Sequence, residues 1–292
     1  NALYFEDYVL SIQYFNQVIK LKPYLSEPFL LRAIAKLQLG DYTGAELDCN
    51  AAIERNPFLP GAYYTRSFIY YQMNQLDKAE NDLSEALIFA PEEKSYIAMR
   101  ANIRAEMQLY DLAIDDINHL LNREPKSANL HFEKGSICLR SGDTICAHNA
   151  FLKATEYDSQ NPTYWSALGV VEILINEQEN ALDALNKSIA LGSKWAGDYI
   201  NRGIIYYQMH NYRSALADYD KAVKLEPSNA ECYYNRGVLR EELGDYNRSL
   251  EDLNSAIRLA PDKIEVYYQR GMVLMQLRQW RDALQDFNTI ME

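Results

Sequence analysis

Apolar and small residues recur along this chain at the spacing of paired amphipathic helices, and residues 198–230 show the pattern most plainly. There, a first segment carries Tyr199, Arg202 and Gly203. A second carries Ala215, Tyr219, Ala222 and Val223 at intervals of three and four, the spacing of one helical face. The second segment ends at Pro227, because proline cannot continue a helix and disfavours helical geometry in the residue before it. Between paired segments lie turns such as Gly40 with Asp41, Gly142 with Asp143 and Gly244 with Asp245. Glycine suits the left-handed position after a helix, and aspartate suits the N-cap of the next.

The pattern repeats every 34 residues without slipping register. Small residues fall at Ala33, Ser67, Ala101, Gly135, Gly169, Gly203, Gly237 and Gly271, in the first helix of each pair. Ser11, Ala45, Ala79, Ala113, Ala147, Ala181, Ala215, Ser249 and Ala283 form a matching row in the second helix. Pro23, Pro57, Pro91, Pro125, Pro227 and Pro261 close the units, with Ser159 and Ser193 where two prolines are lost. Period and rows resemble the tetratricopeptide repeat, a helix–turn–helix unit that stacks into a solenoid. The resemblance implies an all-α, right-handed superhelical solenoid of antiparallel helix pairs over the whole chain. The expected organisation is a single solenoid with a partial unit at 1–25. Full units follow at 26–59, 60–93, 94–127, 128–161, 162–195, 196–229 and 230–263, then a clipped one at 264–292. By this register Asn1 falls inside a helix and Glu292 stops short of the next proline position, so the chain reads as a fragment of a longer protein.

Composition narrows the function. The net charge of −12 argues against nucleic acid, whose phosphates are neutralised by Lys and Arg, and against anionic membrane surfaces. No uninterrupted apolar stretch approaches the ~18 residues of a membrane-spanning helix; a soluble chain is expected, with cytoplasm and periplasm both left open and the compartment unknown. Cys49, Cys138, Cys146 and Cys232 show neither a disulfide framework nor zinc-type spacing and do not fix a redox compartment. His131, Cys138, Cys146 and His148 cluster in one unit, but Cys146 and His148 are two apart and diverge on a helix, so no metal is expected. Catalytic and cofactor motifs are also missing. The reading is therefore no enzyme and no cofactor.

Two further rows vary together. Arg32, Arg66, Arg100, Arg202, Arg236 and Arg270 each have an aspartate sixteen residues on: Asp48, Asp82, Asp116, Asp218, Asp252 and Asp286. Where Lys134 and Leu168 replace the arginine, Ala150 and Ala184 replace the aspartate. The expected structural contact is an Arg–Asp fork inside each of the six units that carry both residues.

In the resembled family the first helices line a concave groove. That places Tyr64, Tyr71, Tyr207, Tyr234 and Tyr268 on or near it, with Gln72, Gln208, Glu242 and Gln276 on its rim. Asn201, Asn235 and Gln269 stand 34 apart, like the amide ladders by which some family members hold an extended peptide backbone. Glu231, Glu242 and Glu265 favour a basic ligand, and the cations of a carboxylate clamp are missing. The function expected is a non-catalytic scaffold binding an extended, neutral to basic peptide or protein in this groove. One alternative is a targeting or regulatory arm of an enzyme whose catalytic domain lies outside the chain. Another is self-association through uncapped ends, which would expose apolar faces.

Overall fold

A computed structural model describes residues 7–291. Asn1 and Glu292, on which the reading of the chain ends rests, lie outside the described residues. Among those described there are seventeen helices and no strand. After α1 (Tyr8–Leu21), first helices of each pair are α2 (Glu27–Gln38), α4 (Pro60–Gln72), α6 (Lys94–Glu106), α8 (Ala128–Arg140), α10 (Pro162–Leu174), α12 (Ala196–Gln208), α14 (Ala230–Glu242) and α16 (Ile264–Gln276). Second helices are α3 (Tyr42–Arg55), α5 (Leu76–Phe89), α7 (Tyr110–Arg123), α9 (Thr144–Tyr157), α11 (Gln178–Ala190), α13 (Tyr212–Leu225), α15 (Tyr246–Leu259) and α17 (Trp280–Met291). From α4 onward the starts of both sets advance by the repeat period.

Each turn between paired helices is made the same way. The residue after the first helix's C-cap is left-handed in all eight pairs: Gly40, Gly142 and Gly244, but also Asn74, Gln108, Asn176, His210 and Arg278. That conformation is strained for a side chain with a Cβ, least so for asparagine. Asp41, Asn211 and Asp245 then cap the second helix, accepting from the backbone N–H of Gly44, Ser214 and Arg248. Helix α11, whose unit carries Ser193 in the proline position, ends instead through left-handed Gly192.

The small-residue rows bring backbones together. Ala33, Ala45, Ala79, Ala113, Ala147, Ala181 and Ala215 are fully buried. A methyl group placed on Gly203 would stand 2.6 Å from Tyr219 Cε1, whereas at Gly237 the nearest atom is Leu253 Cγ at 3.1 Å. Alanine gains about 1 kcal/mol of helix propensity over glycine, while overpacking costs about 1–3 kcal/mol. Gly203→Ala is therefore expected to lower the denaturant midpoint, and Gly237→Ala to leave it within error or raise it. Equal effects in the two variants would show that ring contact does not set the spacing.

The chain divides into two compact units after Ala147. In the first, Ile97, Ala101, Ile117, Leu120, Leu130 and Ile137 form the largest buried cluster. In the second, Leu253, Ala256, Val266 and Val273 pack with Tyr233, Tyr234 and Tyr246. One expectation is corrected here: Cys138 and Cys146 are joined by a disulfide. The tight α8–α9 turn brings their Cα atoms to 5.7 Å, inside the range a disulfide spans. Comparing faces helix by helix misses this closeness across a turn.

Candidate protein-binding surface

The arginines of the first helices fork onto the second helix of the same pair. In α14, Arg236 Nε and Nη2 donate to the two carboxylate oxygens of Asp252 at 2.9 and 2.7 Å. The same fork joins Arg32 to Asp48, Arg66 to Asp82, Arg100 to Asp116, Arg202 to Asp218 and Arg270 to Asp286. These aspartates are 2–6% exposed, so the pairs are nearly dry on the acid side.

The forks also have a second acceptor, which opposite charges alone do not predict. The remaining arginine nitrogen reaches back sixteen residues to the preceding pair: Arg32 to Asn16, Arg66 to Asn50, Arg100 to Ser84, Arg202 to Asn186, Arg236 to Asp220 and Arg270 to Asn254. Each arginine thus ties three helices. Lys134 keeps only this backward bond, to Asn118. Where Leu168 replaces the arginine, the acceptor positions hold Leu152 and Ala184, and the whole clasp becomes apolar. Asparagine recurring in one row of the repeat, at Asn16, Asn50, Asn118, Asn186 and Asn254, was the available signal.

Four of the candidate groove residues line one cavity. Glu231, Tyr234, Asn235 and Glu265 share a cavity of about 330 Å³ between α14 and α16, with Lys263 and Val266 on its wall. Asn235 Nδ2 is buried there and makes no hydrogen bond. Burial, then Glu265 and Glu241, push the Tyr234 hydroxyl above its ordinary pKa, which keeps the ring neutral. Gln269 is committed differently from a free ladder amide: its Nε2 donates to Glu241 Oε2. Burial raises the pKa of Glu241, and the Gln269 bond opposes it. Glu241 was not singled out by the sequence.

The others do not line that cavity. Asn201 is half-buried on α12. Gln208 accepts from Gln178 at 2.9 Å. Tyr207 lies 5.7 Å from the Tyr212 ring, and its hydroxyl pKa is raised by burial and the nearby Glu242. Tyr268 is 54% exposed, and Glu242 and Gln276 are also exposed. In the first unit Tyr64 stacks on Tyr96 with centroids 4.6 Å apart, an inter-repeat packing contact. Tyr71 donates to Glu106 at 2.6 Å, while Gln72 is exposed.

The histidine–cysteine cluster also resolves. His131 is buried with Nε2 3.0 Å from the Pro125 carbonyl. Among the described residues no group of three or more His, Cys, Asp or Glu is arranged to hold a metal ion. Cys49 and Cys232 are free, and burial pushes their thiols up to about 12 and about 11, leaving little thiolate at neutral pH.

Two buried acids stand in or against the helix pair α10–α11, where the arginine clasp is missing. Asp198 is fully buried and accepts from Ser166 Oγ and Ser188 Oγ, each at 2.6 Å. Glu172 is 5% exposed, 3.6 Å from His148 Nε2 through Oε1, with Oε2 unpartnered. Burial raises the Glu172 pKa above 4.5, and His148 opposes the shift. An acid whose pKa rises on folding contributes most to stability when protonated, below 4.5, and that contribution is lost as pH rises through the folded value. Glu172→Gln is thus expected to stabilise the protein by about 1–3 kcal/mol at pH 8, with the gain shrinking toward pH 4. Denaturant titrations at both pH values check this; a pH-independent gain would contradict it.

The stacked helical hairpins and their periodic clasps define a helical-repeat protein. Family models described as TPR repeat and Tetratricopeptide repeat match residues 203–244, 230–263 and 60–92. The chain carries tetratricopeptide repeats, and its fold is that of a tetratricopeptide repeat protein. It is similar to a tetratricopeptide repeat protein from Parabacteroides merdae, at 19% identity and TM-score 0.62, over 85% of this chain and 98% of that one. The APC/C hetero-tetramer Cut9–Hcn1 matches at 15% identity and TM-score 0.60, over 91% of this chain and 53% of the other. Yeast Tom70 matches at 17% identity and TM-score 0.59, over 94% and 60%. At these identities the likeness is one of fold. No curated protein matches the chain. No helix among the described residues is long and apolar enough to cross a membrane.

Proposed function

We propose that the chain is a non-catalytic scaffold whose first-helix face in residues 196–292 holds an extended, neutral or basic segment of another protein. The observation that carries this reading is Asn235 Nδ2, a buried donor with no partner inside a cavity rimmed by Glu231 and Glu265. A buried unsatisfied polar group costs about 1–3 kcal/mol, a cost that a peptide carbonyl entering the cavity would remove. Asn201 offers a second amide one repeat away, and an amide can both donate to and accept from a peptide backbone. The two carboxylates then favour Lys or Arg beside that backbone. Tyr234 and Tyr268 add flat apolar surface.

The charge of the rim gives a direct test. Basic peptides are expected to associate about tenfold faster than acidic ones of equal length at low ionic strength. Raising salt from about 0.1 M to about 1 M shortens the screening length from about 10 Å to about 3 Å and closes most of that gap. Stopped-flow association rates measure it. Equal rates for the two peptide classes at low salt would overturn the assignment of a basic ligand.

A further inference from the structure

The first unit holds a larger cavity, about 490 Å³, between α6 and α8 and floored by Ile117 of α7. Its volume falls in the range of small-ligand sites, roughly 300–1,000 Å³. Comparison of the repeats shows how it is cut. At the position of Ala98 other copies carry Leu30, Tyr64, Phe132, Ile200 and Tyr234. The position of Ala105 holds Leu37, Tyr71, Leu139 and Ile173 elsewhere. Asn102 stands where Ile34, Phe68, Val170 and Ile204 stand. One helix has therefore lost two bulky side chains and gained an amide, all facing the same space.

The polar groups of the wall specify an occupant. Asn102 adds an amide to the wall, whose carbonyl can accept a hydrogen bond. Ser136 Oγ donates to the Phe132 carbonyl at 2.9 Å and keeps its lone pairs. Glu133 adds a carboxylate. Arg140 is held on the Ala105 carbonyl at 2.8 Å, presenting a fixed guanidinium plane on which an aromatic face can stack. Acceptors beside a cationic plane and apolar walls fit a flat ring that carries its own hydrogen-bond donor.

We propose that this cavity is a docking site for a tyrosine or tryptophan side chain of a protein partner. The site lies in a different compact unit from the Asn235 cavity and rests on the scaffold reading only for the class of partner.

The test uses the intact chain with labelled Met, Ile and Val methyl groups. Titrations with N-acetyl-tryptophanamide, N-acetyl-tyrosinamide and N-acetyl-leucinamide follow Met99, Ile117 and Ile137 at the cavity and Val266 at the other pocket. The ring amides are expected to shift the three cavity methyls saturably and to bind about fivefold tighter than leucinamide, the worth of one hydrogen bond. Ala98→Phe fills the space with a residue the fold accepts in the next repeat, so the shifts vanish while melting holds. Should that variant melt early, Ala105→Leu, which copies Leu37 and Leu139 of other repeats, makes the same test. Unshifted cavity methyls, shifts that survive the filling variant, or leucinamide binding as tightly as the ring amides would overturn the proposal. Shifts at Val266 alone would overturn it too, while leaving the Asn235 reading intact.

Discussion

Asp252→Ala is expected to cost about 3–5 kcal/mol, the loss that follows when one partner of a buried ion pair is removed. Asp252 is 3% exposed and holds two guanidiniums, taking the Arg236 fork and Arg240 Nη1 at 2.7 Å. Removing it leaves Arg236 with only Asp220, whose side chain is 43% exposed. Asp220→Ala is expected to cost under about 1 kcal/mol, because a solvated pair contributes little. Chemical denaturation of both variants gives the comparison. Cooperativity can break down in repeat arrays, so hydrogen exchange of the α14 and α15 amides should accompany it. An equal loss in the two variants would mean that the forks are not dry in solution. Replacing the whole clasp by apolar residues is expected to recover most of the stability, since an apolar replacement for a buried pair is often neutral or better. The chain already contains such an exchange, with Leu152, Leu168 and Ala184 at the three clasp positions.

Much of this architecture was legible because the repeat supplies its own controls. Eight copies of one helix pair show which positions must be small, and a proline or a left-handed turn residue marks where each helix stops. The Arg–Asp fork could be read from joint presence and absence alone. Its backward arm to Asn16, Asn50, Asn186 and Asn254 is equally periodic, but an amide acceptor carries no charge to match against the arginine. Single departures from the repeat were harder to interpret. Asp198 replaces residues such as Tyr164, Cys232 and Val266, and only the fold shows that Ser166 and Ser188 converge on it. The Cys138–Cys146 bridge depends on how closely a turn folds back, which neither helix reveals separately. Gln269 looks like a ladder amide by register, yet Glu241, a residue of the neighbouring repeat, takes its donor. Side chains that reach between copies are thus where periodic reading loses resolution.

The binding face carries the second large expected effect. Asn235→Ala and Asn201→Ala are each expected to weaken the partner segment about tenfold, the equivalent of about 1.4 kcal/mol for a hydrogen bond made in a dry site. The two positions sit on successive first helices and contact different peptide units, so the effects should add. Stability separates this from a structural role. Asn235 Nδ2 has no partner in the free protein, and deleting an unsatisfied donor leaves melting unchanged or slightly higher. A packing residue would instead lose stability on truncation.

The decisive measurement is calorimetric titration of the wild-type chain and the Asn201→Ala, Asn235→Ala double variant with the segment of its partner protein, alongside thermal melting of each. A roughly hundredfold loss of affinity with unchanged melting is the predicted result. Unchanged affinity with unchanged melting would contradict the account, because the amide pair would then be surface rather than site.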